Sequence, residues 1–246
     1  MARGLYAAVG AAIYLIFFAT FLYLIAFVGD IALVPRTVDL GPQAQTGVAL
    51  AIDAALIALF GIQHSVMARR GFKAAWTRIV PPVLERSGYV LASSLVLLLL
   101  FAFWRPIPQA VWTVTNPIGR DILWALFGLG WAIVLLSTFL INHFELFGLQ
   151  QIWRNLTGRG ESPAQFRTPF LYRLVRHPLY SGFILAFWAI PVMTIGHLLL
   201  ALGMTGYILI AIGYEERDLV GTFGDEYRRY RRTTGMLIPG IGRSKA

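Results

Sequence analysis

Long apolar stretches alternate with short polar segments along the whole chain: Leu5–Val28, Thr46–Met67, Ser87–Trp104, Asp121–Phe147 and Leu179–Ile212. An apolar run of about 20 residues crosses a hydrocarbon core as a helix. The pattern therefore predicts an all-α, polytopic membrane bundle of about five to six membrane segments. The fourth stretch, about 27 residues, is longer than a roughly 30 Å core requires at 1.5 Å per residue, so its end is expected to project beyond the bilayer. The last, about 34 residues, is too long for one straight span. Pro191 and the Gly196-His197 pair interrupt it, which predicts a helical hairpin or one broken helix. The first stretch has a single Arg before it and no A-x-A-like site near its end, and reads as a retained span, not a signal peptide.

Charge settles the expected orientation. Arg69, Arg70, Lys73, Arg78 and Arg86 face only Glu85 in the second loop. Between Gln150 and Arg176 there are Arg154, Arg159, Arg167, Arg173 and Arg176 against Glu161. The tail adds Arg217, Arg228, Arg229, Arg231, Arg232, Arg243 and Lys245. The intervening loops hold Asp30, Arg36 and Asp39, or are rich in proline (Pro106, Pro108, Pro117), and have no comparable basic excess. Basic loops stay inside. Both termini are thus expected in the cytoplasm of a multi-pass protein of the cell (inner) membrane, with any active site on that face. The net charge of +9 is explained by topology and does not call for a nucleic acid partner. Only 13% of residues are charged and 57% are hydrophobic, so lipid is the main solvent. The absence of cysteine excludes disulfides, thiolate metal sites and cysteine nucleophiles. A single domain over 1–246 is expected, with three spans in 1–120 and the chemistry in 121–246.

The C-terminal third carries four ordered elements: Arg176-His177-Pro178-Leu179-Tyr180-Ser181-Gly182; Glu215-Glu216-Arg217-Asp218-Leu219; Phe223-Gly224-Asp225-Glu226-Tyr227-Arg228-Arg229-Tyr230; and Ile238-Pro239. Their order and spacing resemble the isoprenylcysteine carboxyl methyltransferase superfamily of membrane enzymes, which includes phospholipid methyltransferases and NnrU-like proteins. A closer resemblance, to the bacterial methanethiol S-methyltransferases, rests on Phe60-Gly61-Ile62-Gln63-His64-Ser65, on Asn142-His143-Phe144-Glu145-Leu146-Phe147-Gly148, and on Ala186-Phe187-Trp188-Ala189-Ile190-Pro191 with Gly196-His197. The resemblance implies S-adenosyl-L-methionine as cofactor and transfer of its methyl group to a small volatile thiol, methanethiol, giving dimethyl sulfide. A lipid-linked or prenylcysteine-like acceptor, or a non-enzymatic NnrU-like role, is the alternative within the same superfamily.

Such a cofactor presents a carboxylate, an ammonium, two ribose hydroxyls, an adenine and a sulfonium. Glu215 and Glu216 can accept from the ribose or the ammonium, Arg176 and an Arg such as Arg231 can pair the carboxylate, and Tyr180, Tyr227 or Tyr230 can cover the adenine. His177, held before Pro178, is disfavoured in helical geometry, which frees local backbone groups; Pro178 and Gly182 complete the motif. Asn142, His143 and Glu145 form a second constellation. An alkanethiol is mostly protonated at neutral pH, and His143 or Glu145 is a suitable base. On an ideal helix residues 142 and 145 share a face while 143 is turned about 100° away, so a kink, or a role for only one of them, is expected. His64 interrupts an apolar run and is either a further catalytic group or a histidine hydrogen-bonded between helices. No spacing of His64, His143 and Glu145 argues for a metal. Phe144, Phe147, Phe187 and Trp188 are the expected apolar lining for a small thiol, and His197 is expected to be structural, at an outer turn.

Overall fold

The computed structural model describes residues 2–160 and 165–244; Glu161 and Lys245, counted above with the charged loops, lie outside them. In chain order the helices are α1 (Ala2–Val28), α2 (Thr46–Met67), α3 (Arg70–Trp76), α4 (Glu85–Phe103), α5 (Pro117–Ile141), α6 (His143–Leu146), α7 (Leu149–Thr157), α8 (Leu171–Leu174), α9 (Pro178–Trp188), α10 (Ile195–Phe223) and α11 (Asp225–Thr233). Two short strands, β1 (Ala110–Thr113) and β2 (Val192–Thr194), form the one small sheet among the described residues. The protein is all-α and multi-pass: α1, α2, the segment Pro82–Phe103, α5 and α10 are each long and apolar enough to cross a membrane.

The chain divides into two compact units that interleave in sequence. The first comprises Met1–Trp112, His143–Ser162 and Val192–Gly203. Within it α4 packs against α1 and α2, and α7 lies along α1. Its centre is aromatic: Phe27 and Trp104 meet edge to face at 5.8 Å, and Phe101 lies 4.9 Å from Phe27. The buried Trp104 indole donates from Nε1 to the Val38 carbonyl at 3.0 Å, which satisfies its polar end. Gly10 leaves room for Ile152 where α7 meets α1: a Cβ there would fall 1.7 Å from the end of that side chain, which would have to shift.

The second unit comprises Thr113–Asn142, Pro163–Pro191 and Met204–Ala246, and its frame is the crossing of α5 with α9. Two glycines meet there. A Cβ on Gly130 would lie 2.7 Å from the Ala186 nitrogen, and one on Gly182 would lie 2.7 Å from the Gly130 carbonyl oxygen. Contact this close maximises dispersion where lipid offers no hydrophobic drive. Gly182 of the Arg176–Gly182 motif thus takes part in the packing of α9 on α5. Trp131 fills the groove beside it, 5.7 Å from Phe183 and 6.4 Å from Phe187.

Two expected boundaries are corrected. The fourth helix stops at Ile141, not near Phe147: Asn142 leaves helical geometry, and the chain restarts as α6. Residues 142 and 145 therefore do not share a face of one continuous helix. The last apolar region breaks at Ala189–Thr194, where Pro191 has no N–H to continue a helix. Gly196 and His197 lie inside the first turn of α10, past the break, and α10 continues to Phe223, beyond the apolar residues and through Glu215 and Glu216. At 11 residues, α9 is only about 16 Å long.

Candidate functional site

In the second unit the site is built on a parallel pairing of two non-helical segments. Val175 and Gly235 form an isolated bridge, the Arg176 N–H donates to the Gly235 carbonyl at 2.8 Å, and the His177 N–H donates to the Met236 carbonyl at 3.1 Å. His177 stays out of helical geometry, with φ −128° and ψ 62°, because Pro178 follows and opens α9 at its first turn. Gly235 admits no side chain, since a Cβ would lie 2.2 Å from the Ile238 carbonyl oxygen.

This pairing lays the side chains of Arg176 and His177 onto Glu216 of α10. Glu216 Oε1 accepts from Arg176 Nε at 2.7 Å and is 3.2 Å from His177 Nε2. Its Oε2 lies 3.0 Å from Arg231 Nε. The Arg176 guanidinium is further consumed by backbone: Nη1 donates to the carbonyls of Thr234 at 2.5 Å and Arg231 at 3.2 Å, and Nη2 donates to Gly242 at 3.2 Å. Arg176, His177 and Glu216 are all buried. Burying a carboxylate this deeply requires such pairing. Arg176 is thus the clamp that holds the C-terminal turn onto α10; Arg231, with 32% of its side chain exposed, is the more accessible cation.

Glu215 is turned about 100° from Glu216 on the same helix. Its side chain is 45% exposed, and it lies 3.8 Å from His177 Nδ1. Tyr180 tilts toward the His177 ring at 5.7 Å. Tyr227 and Tyr230 both pack edge to face on Phe166. The Tyr230 hydroxyl donates to the Tyr172 carbonyl, with Val175 at 3.5 Å, and burial pushes its pKa up to about 12. Tyr227 is fully buried between Phe166 and Tyr230. Its hydroxyl has no hydrogen-bond partner among the described residues, and burial raises its pKa, the nearby Glu216 and Glu215 adding to the effect.

In the first unit, His143 opens α6 and is buried. Its Nε2 is 2.8 Å from the Tyr14 hydroxyl, and Phe147 and Phe144 pack on the ring edge to face at 4.8 and 5.5 Å. Burial lowers its pKa below the ordinary imidazole value. The segment is pinned by Arg86, whose Nε donates to the Leu146 carbonyl at 2.6 Å, and by Gly148, where φ is +89° and an added Cβ would lie 2.7 Å from Ser87 Oγ, so that glycine suits the turn. Glu145 points elsewhere: its side chain is 48% exposed and stands 3.9 Å from Arg154 Nη1. His64 lies between α2 and α4, with Nδ1 3.0 Å from Ser93 Oγ and its ring between Phe60 at 5.1 Å and Tyr89 at 4.9 Å. Among the described residues no three His, Asp or Glu side chains gather as metal ligands.

Of the expected residues, the structure thus brings Arg176, His177, Glu215, Glu216 and Arg231 together in one unit; His143 and Glu145 share the short helix α6 in the other, with Glu145 facing Arg154, while Asn142 ends α5. Tyr14 is the residue missed by sequence reasoning. Its one available signal was a hydroxyl inside an apolar span, which needs a partner.

No family model matches the chain, and no solved structure matches it. Curated relatives do. A protein named methanethiol S-methyltransferase from Mycobacterium tuberculosis is 56% identical over 230 residues, covering 94% of both chains. Methanethiol S-methyltransferase 1 of Bradyrhizobium diazoefficiens is 53% identical over 94% of this chain and 80% of its own length. More distantly, Nurim of Sus scrofa is 31% identical over 73% of this chain and 75% of its own.

Proposed function

This chain belongs to the methanethiol S-methyltransferase family, and from that membership we propose that it methylates methanethiol with S-adenosyl-L-methionine, releasing dimethyl sulfide, from a cofactor site on the cytoplasmic face of the cell membrane. The observation that carries the reading is the Glu216 hub, which fixes an exposed acid, Glu215, beside an accessible cation, Arg231, and an aromatic ring, Tyr180. That is the donor set a nucleoside bearing an amino-acid tail requires. The buried, unsatisfied Tyr227 hydroxyl fits it as well, because such an atom is costly unless something pairs with it.

When bound, S-adenosylmethionine supplies a methyl group activated by its sulfonium, the electron pair of the broken bond leaving with the donor sulfur. Glu215 accepts from the ribose hydroxyls or the ammonium, Arg231 pairs the carboxylate, and Tyr180 covers the adenine. Arg176, His177, Glu216 and Tyr230 hold these groups in place. The acceptor needs a base, because a small thiol is largely protonated at neutral pH: even a cysteine thiol titrates only near ~8.5. His143 takes that proton. It is buried among apolar rings, and that burial lowers its pKa and favours the neutral, proton-accepting form, whereas Glu145 is half exposed and turned toward Arg154. His64 is read as a structural link between α2 and α4.

The orientation follows from the basic loops together with a length argument. About 16 Å of α9 plus the six residues Ala189–Thr194, about 20 Å if extended, suffice to cross a roughly 30 Å core. With α10 returning, both termini fall on the same, cytoplasmic side.

Two measurements on the purified protein test the reading. Calorimetry with S-adenosylhomocysteine is expected to show one site per chain, and no binding would remove the proposed cofactor. Headspace gas chromatography after adding methanethiol and S-adenosylmethionine is expected to show dimethyl sulfide; cofactor binding without that product would shift the reading to a lipid-linked acceptor.

A further inference from the structure

Tyr14 lies on α1, far in sequence from the motif-bearing segments, and places its hydroxyl within hydrogen-bond distance of the proposed base. Its hydroxyl is 2.8 Å from His143 Nε2, and both residues lie in the first unit. Aromatic packing fixes the pair: Tyr14 meets the His143 ring edge to face at 5.9 Å, and Phe147 stacks on Phe17 of α1 at 4.0 Å while touching His143. A side chain held by these rings and by this hydrogen bond has little rotational freedom left.

We propose that Tyr14 is a positioning residue for the methyl transfer: its hydroxyl oxygen accepts from His143 Nε2–H, holding the imidazole in the tautomer whose Nδ1 takes the thiol proton. The inference rests on His143 being the base. The choice of tautomer follows from chemistry, since a neutral imidazole has one donor and one acceptor nitrogen. If the Tyr14 O–H donated to Nε2, the proton would sit on Nδ1 and no ring nitrogen would remain to receive another. In the proposed arrangement the proton leaves the thiol sulfur for Nδ1, and the resulting imidazolium strengthens its Nε2–H bond to Tyr14.

Of the ionisable groups on the packed elements, Tyr14 of α1 bonds the ring itself, Arg86 of α4 holds the Leu146 carbonyl of the same short helix, and Glu145 of that helix faces Arg154 of α7. Tyr14→Phe alters only the hydroxyl among them and keeps the ring contacts. A hydroxyl accepting from Nε2–H favours the charged imidazolium more than the neutral ring, so removing it lowers the His143 pKa. The expected result is a roughly tenfold fall in kcat, a fraction of the 10²–10⁴ that a general base supplies, with the acid limb of the kcat profile moved to lower pH. Thiol ionisation, on the alkaline side, does not interfere. A limb that stays in place or moves upward overturns the proposal.

A readout independent of turnover uses 15N-histidine NMR of the full chain in detergent. The chain has four histidines, so the His143→Gln spectrum assigns His143 by subtraction. An Nε2–H tautomer whose signal shifts in Tyr14→Phe is expected; an Nδ1–H tautomer overturns the assignment. His143→Gln also separates the two readings. If its acid limb is unchanged, His143 is not the base and the Tyr14 role falls with it. If that limb is lost while Tyr14→Phe leaves it unmoved, only the Tyr14 role fails.

Discussion

At the scale of single residues, the adjacent acids Glu215 and Glu216 differ in setting, and in the proposed site they divide contact from support. Glu216 is enclosed by Arg176, His177 and Arg231, and Glu215 is nearly half exposed. Removing one partner of a buried ion pair costs about 3–5 kcal/mol, because the other charge is stranded. Glu216→Ala is therefore expected to lower the thermal midpoint in detergent and to abolish binding of S-adenosylhomocysteine. Glu215→Ala should leave the midpoint nearly unchanged while weakening that binding by about tenfold, the loss of one charge-assisted hydrogen bond. Equal melting behaviour in the two variants would refute the division. His143 gives a prediction with a definite sign. Its pKa is lowered by burial, and a base works only when neutral, so turnover should fall as pH drops through a value below the ordinary imidazole ~6.5. A kcat profile with its acid limb above that value would contradict the assignment, as would a limb surviving in His143→Ala.

Among elements, the α5–α9 crossing and the C-terminal turn decide whether these residues meet. Gly130 and Gly182 bring two backbones together closely enough that any Cβ must displace one of them. Gly182→Ala is expected to destabilise the second unit by about 1–3 kcal/mol through overpacking, read as a lowered thermal midpoint. Because Gly182 follows Arg176 and His177 within one helix start, S-adenosylhomocysteine affinity should fall with it. The turn is the second joint. Arg176 donates to the carbonyls of Thr234 and Gly242, so a chain truncated after Thr233 strands a buried guanidinium. Such a truncation should lose cofactor binding even though none of the residues proposed to touch the cofactor is removed; retained affinity in calorimetry would argue that the turn is dispensable. The order of the motif residues was legible because they are contiguous in the text. Their pairing through Gly235 and Met236 was not, because a parallel bridge between segments some 60 residues apart has no local signature.

For the whole molecule, the apolar lengths and the basic loops carry the reading, and orientation is its testable part. The chain has no cysteine, so introduced cysteines report without background. In intact cells, Gly71→Cys and Arg243→Cys are expected to resist a membrane-impermeant maleimide, whereas Gln43→Cys should react. Labelling of Arg243→Cys from outside would place the termini on opposite faces and the proposed cofactor site in the wrong compartment. Five membrane-length helices could be expected from hydropathy because lipid imposes a length on any segment that crosses it, and the second span, Thr46–Met67, was read without error.

Helices, loops, charge asymmetry and the ordered C-terminal motif were all readable from residue order, since each depends on neighbours in the chain or on the solvent that surrounds it. Folding alone decided that the fourth helix ends at Ile141, that Arg176 grips the protein's own carbonyls, and that Tyr14 of the first helix reaches His143. Those outcomes turn on which distant groups can satisfy a buried charge or hydroxyl. That competition is settled in three dimensions, and no periodicity along the chain encodes its winner.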